Sequence, residues 1–302
     1  MIRFILRRML LMIPVLLGVM FIVFTINYFG PGDPVAALLG GNYTQEQYDA
    51  KEKELGLDQP YAVQFVNYIK GIVTELDLGT SYQTRRAVRD EILERFPTTL
   101  LLGMLGVALT VVVGIPFGII SATKQYSILD YIVTIVSLIF ASIPSFWMAM
   151  MFQLGLSYNL GCFPATYAAG SAVSMVMPVL TLGLSPVATV TRITRSSMLD
   201  VVRQDYIRTA RAKGLSERQV IWKHALKNAL IPVITSVGLT FSNLIGGAVL
   251  AETVFSIPGL GKLMVDAIKI RNYPIVQGGV LLIAFAMLVV NLAIDILYAF
   301  VD

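Results

Sequence analysis

Few side chains in this sequence are of a type that performs covalent chemistry, and their spacing argues against most of it. The 302 residues hold one histidine, His224, and one cysteine, Cys162. A Ser-His-Asp relay or a histidine metal centre would have to be assembled around His224 alone. Ser145 and Ser185 each stand beside a proline without a partner base. There is no HExxH pair, and no GxxxxGK[ST] segment to cradle nucleotide phosphates. One cysteine excludes an internal disulfide and a CxxC metal knuckle. The sequence therefore predicts no catalytic residue and no metal ligand, and an intramembrane protease lacks its parts. What remains is cationic surface chemistry. Between Arg192 and Lys227 lie nine basic residues against three acids.

The elements that hold this segment are legible from the gaps between charges. Only 14% of residues are charged and 56% are hydrophobic, where a soluble domain carries roughly a quarter charged. So little charge cannot cover a surface facing water. Uncharged runs of 24, 28, 61, 24 and 23 residues follow Arg8, Arg95, Asp130, Lys227 and Arg271. A membrane-spanning helix needs about 20 apolar residues, so four runs hold one helix each and the longest holds two. Its break is expected at Asn159–Pro164 and Ala168–Ser171. Six spans result, at about 9–29, 98–122, 131–157, 173–194, 228–251 and 275–297. The first is too long for the apolar part of a signal peptide and reads as a retained span. The predicted fold class is an all-α, polytopic membrane protein. Membrane lipid is its solvent.

Six spans place both termini on one side. Arg3, Arg7, Arg8, Lys124 and the 192–227 segment make that side basic, hence cytosolic. The opposite, extracytoplasmic side receives the 33–95 region, with 11 acids against seven bases. Thr44 and Gln47 form a capping-box pattern there, and a helix should run to about Leu55 and end at Gly56. Tyr61, Phe65 and Ile69, with Val66 and Val73, recur at helical spacing. A small helical subdomain is expected, either a dock for a delivery protein or a cap over the helix ends.

The cytosolic segment is more specific. Met198, Leu199, Val202, Tyr206, Ile207 and Ala210 form an apolar stripe of helical period. Arg211 and Lys213 suit the last turn of that helix. Gly214 suits a left-handed cap, with Leu215 reaching back toward Ala210. Ser216 and Gln219 open a second helix by another capping box, and Pro232 should kink or interrupt it. A DNA-binding helix-turn-helix has similar ingredients, but here both ends enter the bilayer within a few residues, so no nucleic acid is expected. Two readings remain open: a loop that only fixes topology, and a docking hairpin that transmits force from a cytosolic protein to spans four and five.

At the other end of span five, Glu252, Phe255, Pro258 and Gly259 belong to a stretch that either lines the outer mouth or is a plain loop. Pro258 and Gly259 should form its turn, and Glu252 is expected at the surface. Pro116, Pro144, Pro178, Pro186 and Pro232, with Gly238, Gly246 and Gly247, suit bent or closely packed helices. Trp147 and Trp222 suit interfacial anchoring. Asp295 reads as interfacial, and no buried carboxylate marks a proton-coupled carrier.

Asp205-Tyr-Ile-Arg-Thr-Ala-Arg-Ala-Lys-Gly214-Leu-Ser, followed by His224-Ala-Leu-Lys-Asn-Ala-Leu-Ile-Pro232, resembles the ATPase-coupling loop of binding-protein-dependent ABC importer permeases. The dipeptide, oligopeptide and nickel branch is the most similar. Pro31–Pro34, Leu55–Pro60, Asp77–Tyr82, Arg95–Leu100 and Phe255–Gly261 match that branch too, in order along nearly the whole chain. The resemblance implies a coupling site at Arg208, Thr209, Ala210, Arg211, Gly214, Leu215, Ser216, Glu217 and Pro232. Arg208-Thr209-Ala210 stands where the broad superfamily has Glu-Ala-Ala, a departure usual in the peptide branch. The partners implied are a second, similar permease forming a heterodimer, two cytosolic ATPases and an extracytoplasmic binding protein. ATP and magnesium would be bound by those partners, and this chain would need no cofactor. Two domains are expected: 1–94, the first span with the extracytoplasmic region, and 95–302, a five-helix permease core with the coupling loop at about 196–232. The cargo implied is a peptide. Nickel or a metal chelate is the alternative on the same architecture, and a channel or secondary carrier without ATPases is the alternative of another class.

Overall fold

The computed structural model describes residues 2–301, so Met1 and Asp302, the outer bounds of the two expected domains, lie outside it. Among the described residues every regular element is helical, apart from one isolated bridge between Thr80 and Ala87. In chain order these are α1 (Ile2–Phe29), α2 (Pro34–Leu39), α3 (Gln45–Glu54), α4 (Tyr61–Glu75), α5 (Val88–Thr123), α6 (Ile128–Ser142), α7 (Ser145–Phe152), α8 (Val176–Val202), α9 (Asp205–Ala212), α10 (Glu217–Gln219), α11 (Leu226–Val254), α12 (Leu260–Lys269) and α13 (Tyr273–Val301). Wider, π-type turns extend α7 over Gln153–Asn159 and join α10 to α11 over Val220–Ala225. Five helices are long and apolar enough to cross a membrane: Arg3–Phe29, Val88–Thr123, Ala172–Val202, Glu217–Val254 and Tyr273–Leu297. The chain is an all-α, multi-pass membrane protein.

The expected third span, 131–157, is not one helix. It is a pair, Ile128–Ser142 and Ser145–Asn159, bent by 98°. Pro144 supplies the reason. Its ring has no N–H to donate and drives the residue before it out of helical geometry, and Ile143 is extended at φ −81°, ψ 123°. Pro186 and Pro232 behave differently and lie within unbroken α8 and α11. Pro232 thus does not interrupt its helix; the irregularity lies upstream, at Val220–Ala225.

The chain packs as two compact units, Leu100–Ile257 with Ala293–Asp302, and Met1–Thr99 with Pro258–Leu292. In the first, α8 is the central helix. A Cβ on Gly183 would stand 2.7 Å from the carbonyl oxygen of Gly106, and one on Gly118 would stand 2.4 Å from Thr194 Cβ. Backbones this close let side-chain hydroxyls bond across helices, and Thr110 Oγ1 donates to Gly183 O at 2.8 Å. Gly238 is similarly tight against Ile294, whereas Gly246 and Gly247 face open space.

In the other unit, Phe24, Tyr28 and Phe29 of α1 interleave with Tyr61, Phe65 and Tyr68 of α4. Val66 and Val73, expected on the packed stripe, are exposed instead, and Tyr68 takes the inner position. The capping box at Thr44 and Gln47 is present, and Gly56 ends α3 with φ +68°. α2 starts at Asp33, whose Oδ1 accepts from Val35 N and Ala36 N, with Pro34 at the first helical position. Two links join distant sequence within this unit. Asn272 accepts from Tyr82 N and donates to Ser81 Oγ, and Leu260 N donates to Thr99 Oγ1 at 2.8 Å. They tie the Asp77–Tyr82 and Arg95–Leu100 motifs to residues near the Phe255–Gly261 motif.

Candidate coupling site

The basic segment folds as a hairpin with one greasy face and one wet face. α8 ends at Val202, and Gln204 is extended before α9 begins. The single helix expected from Met198 to Lys213 is therefore two helices. The break turns Ile207 and Ala210 back onto Met198, in a buried cluster with Val220, Ala225 and Ala229 of the hairpin's second arm and Ile119 and Ala122 of α5. Ile207, Met198 and Val220 have no exposed surface. Each such side chain contributes roughly 1.5–3 kcal/mol of burial, so the hairpin is seated on the ends of α5, α8 and α11. Tyr206, expected on the stripe, is exposed, and its hydroxyl accepts from Asn228 Nδ2 at 2.6 Å.

The turn has the chemistry its residues require. Gly214 holds φ +78°. Leu215 N bonds back to Ala210 O and Gly214 N to Arg211 O, the paired bonds of a Schellman cap. Leu215 packs on the cluster that contains Ala210. Ser216 and Gln219 then satisfy each other as a capping box. The opposite face presents Arg208, Thr209, Arg211, Lys213 and Arg218 to solvent. Arg211 Nε donates to Glu217 Oε1 at 2.7 Å across the turn, one charge from each arm. The geometry brings eight of the nine expected coupling residues together, Arg208 through Glu217. Pro232 lies further along α11.

One buried group beside this seat has no signal in sequence order. Asp130, 4% exposed, takes a two-point fork from Arg195: Nε to Oδ1 at 3.2 Å and Nη2 to Oδ2 at 3.0 Å. Ser121 Oγ and Tyr126 N complete its shell. The start of α6, the end of α5 and the end of α8 are pinned at one point, next to Ala122 and Met198 of the hairpin seat. Charges were expected only to bound the spans, and this pair is 65 residues apart in sequence.

At the other end of α11 the expected mouth residues are interior. Glu252 is fully buried rather than at the surface, and Phe255 is 1% exposed, packed with Leu102, Met177 and Leu244. The reversal is at Phe255–Ser256, where Ser256 has φ +53° and Ile257 N bonds Glu252 O. Gly259 is extended and begins α12, a helix not expected from the sequence, so Pro258 and Gly259 do not form the turn. Phe255 O accepts from Tyr167 N at 2.8 Å, and Gln153 Nε2 bonds Ala165 O and Val254 O. This end of the unit is closed by packing. Among the described residues no group of three His, Cys, Asp or Glu side chains could hold a metal ion.

Residues 114–302 match the model of the binding-protein-dependent transport system inner membrane component, and residues 1–103 match the model of its N-terminal part. The dipeptide transport system permease protein DppB of Alkalihalophilus pseudofirmus is 39% identical, covering 100% of this chain and 98% of that protein. The oligopeptide transport system permease protein AppB of Bacillus subtilis is 40% identical, covering 99% and 98%. The glutathione transport system permease protein GsiC of Escherichia coli is 39% identical, covering 100% and 98%. Among solved structures, a chain of the MetNI methionine ABC transporter in an inward-facing conformation aligns with TM-score 0.57 at 18% identity, over 71% of this chain and 97% of that one. At that identity the likeness speaks for the fold.

Proposed function

Because the chain belongs to the family of binding-protein-dependent transport system inner membrane components, we propose that it is the permease of an ATP-driven importer for di- or oligopeptides. The observation that carries this reading is the hairpin: a solvated basic face whose apolar back sits directly on the ends of α5, α8 and α11. A protein that pushes on Arg208, Arg211 or Gly214 moves three spans with it. The pushing proteins are two cytosolic ATPases, which bind the ATP and magnesium that this chain has no phosphate loop to hold. A second, similar permease completes the pathway, and an extracytoplasmic binding protein delivers the peptide. The basic hairpin and both termini face the cytosol, and the 33–95 region faces outward, as the distribution of Lys and Arg favours. Glu252 and Phe255 act in the packed closure of the outward end of their unit, which opens during transport.

The test is purification of the tagged chain from its native membrane in mild detergent, with mass spectrometry of what accompanies it. A second permease and P-loop ATPases should appear. The reconstituted assembly should then take up a labelled dipeptide only with ATP and the binding protein present. A chain that emerges alone from conditions that preserve other membrane complexes refutes the reading and favours a channel or carrier.

A further inference from the structure

A cavity of about 660 Å³ opens in the unit that contains the 33–95 region, walled by the end of α1, by the first half of α4, by α2 and α3, and by the start of α13. Its walls are of four kinds. Phe24, Tyr28, Tyr48, Tyr68, Tyr82 and Tyr273 supply aromatic surface, and Val35, Leu55 and Leu57 aliphatic surface. Asn27, Gln64, Asn67 and Gln277 supply amides. Asp33 and Glu52 supply carboxylates, and among the described residues no Lys or Arg lines the space.

The two carboxylates differ in what they are already doing. Asp33 is committed: Oδ1 accepts two backbone amides at the start of α2, and Oδ2 accepts from Tyr48 Oη at 2.8 Å. Glu52 is half-buried; its backbone oxygen accepts from Leu57 N, but its side chain forms no hydrogen bond or ion pair with any described residue. A carboxylate beside low-dielectric walls favours a cation, and ring faces add to the attraction. Asn27 stands between this cavity and a neighbouring one, and its Nδ2, fully buried without an acceptor, has no surface from which to meet a ligand.

We propose that this cavity binds the amino-terminal end of a peptide, with the ammonium at Glu52 among the tyrosine rings and the first peptide group among the side-chain amides of the wall. A primary ammonium beside an amide is the group that an unengaged carboxylate, ring faces and side-chain amides together suit. The Arg271 guanidinium packs against Gly32 of the wall but is not among the lining residues, and the lining itself offers a phosphate or carboxylate no counter-charge, so the peptide's other end points out of the mouth. The proposal rests on the reading that this region faces the side on which peptide is delivered. The site would receive cargo ahead of the central pathway.

The experiment uses the intact permease–ATPase assembly in nanodiscs, without binding protein, titrated calorimetrically with alanyl-alanine amide. Saturable binding is expected. The N-acetylated dipeptide amide should not bind, Glu52→Gln should weaken the complex about tenfold, and added salt should weaken it further. Phosphoethanolamine, which carries the same ammonium beside a phosphate, should bind poorly. The proposal is overturned by absent binding, by equal binding of the acetylated ligand, or by indifference to Glu52→Gln. Tighter binding of phosphoethanolamine would assign the cavity to a lipid headgroup and overturn it as well. ATP-driven uptake with added binding protein, measured on the same purified assembly reconstituted into sealed proteoliposomes, separates the two readings. Uptake without binding at this cavity sinks the cavity alone, and absence of uptake sinks the importer.

Discussion

Gly214 offers the most direct perturbation of the hairpin. Its φ of +78° is a conformation that glycine enters freely. A Cβ built on it meets nothing within 4 Å. The cost of a side chain there is therefore torsional, not steric, and depends on residue type alone. Asparagine tolerates the left-handed region and should cost a few tenths of a kcal/mol, alanine about 1, and β-branched valine about 2. A penalty of about 2 kcal/mol multiplies the population of the opened cap roughly thirtyfold. The released groups are the amides of Gly214 and Leu215, now bonded to Arg211 O and Ala210 O. Hydrogen exchange at those amides should accelerate in the order Gly, Asn, Ala, Val. ATP-driven uptake at matched expression should fall in the same order, with membrane insertion unchanged. If Gly214→Val exchanges and transports like Gly214→Asn, backbone geometry at this turn does not govern coupling. If exchange follows the series and uptake does not, the turn is structural and force is transmitted elsewhere.

Three other expectations follow from the packing. Asp130→Ala leaves Arg195 half-buried without its partner and should cost about 3–5 kcal/mol, whereas Asp130→Ala combined with Arg195→Leu should recover much of that; thermal unfolding of the purified chain in detergent gives the comparison. Gly118→Ala places a methyl 2.4 Å from Thr194 Cβ and 2.7 Å from Thr191 O, so α5 and α8 must separate; a lowered melting temperature is expected, and an unchanged one refutes the close approach. Asp33→Ala removes the cap of α2 and the acceptor of Tyr48, at about 1–2 kcal/mol; exchange at the Val35 and Ala36 amides should accelerate while distant amides stay protected.

What could be read from the sequence was what local rules control. The capping boxes at Thr44 and Ser216, the left-handed Gly56 and Gly214 and five of the six long apolar helices each depend on residues within a few positions, and these are present. Pro144 was visible too, but it looked like Pro186 and Pro232. Which of several prolines breaks a helix depends on the packing that holds the others straight. The Asp130–Arg195 fork was invisible because charges at the edges of two apolar runs carry no mark of pairing across 65 residues. Glu252 misled for the opposite reason. A lone acid after an apolar run reads as a boundary, and only the fold shows the chain continuing inward through Phe255 and Ile257. α12 was missed because a ten-residue helix between two spans, begun by an extended glycine without a side-chain cap, gives little local signal.

The bend at Pro144 bears on how the chain enters the membrane during synthesis. The piece Ile128–Ser142 has 15 residues and reaches about 22 Å, short of the roughly 30 Å of hydrocarbon that one straight span must cross. Backbone groups freed at the bend cannot face lipid and need a protein neighbour. α7 finds that neighbour in α8 and α11, both of which leave the ribosome later. This stretch must therefore wait at the interface until its cover arrives, and insertion here is a matter of order in time as well as of hydropathy. In Cys162→Ser nascent chains stopped before Val176, a cysteine introduced in this stretch should react with a membrane-impermeant thiol reagent; protection already at that length would show that it needs no escort.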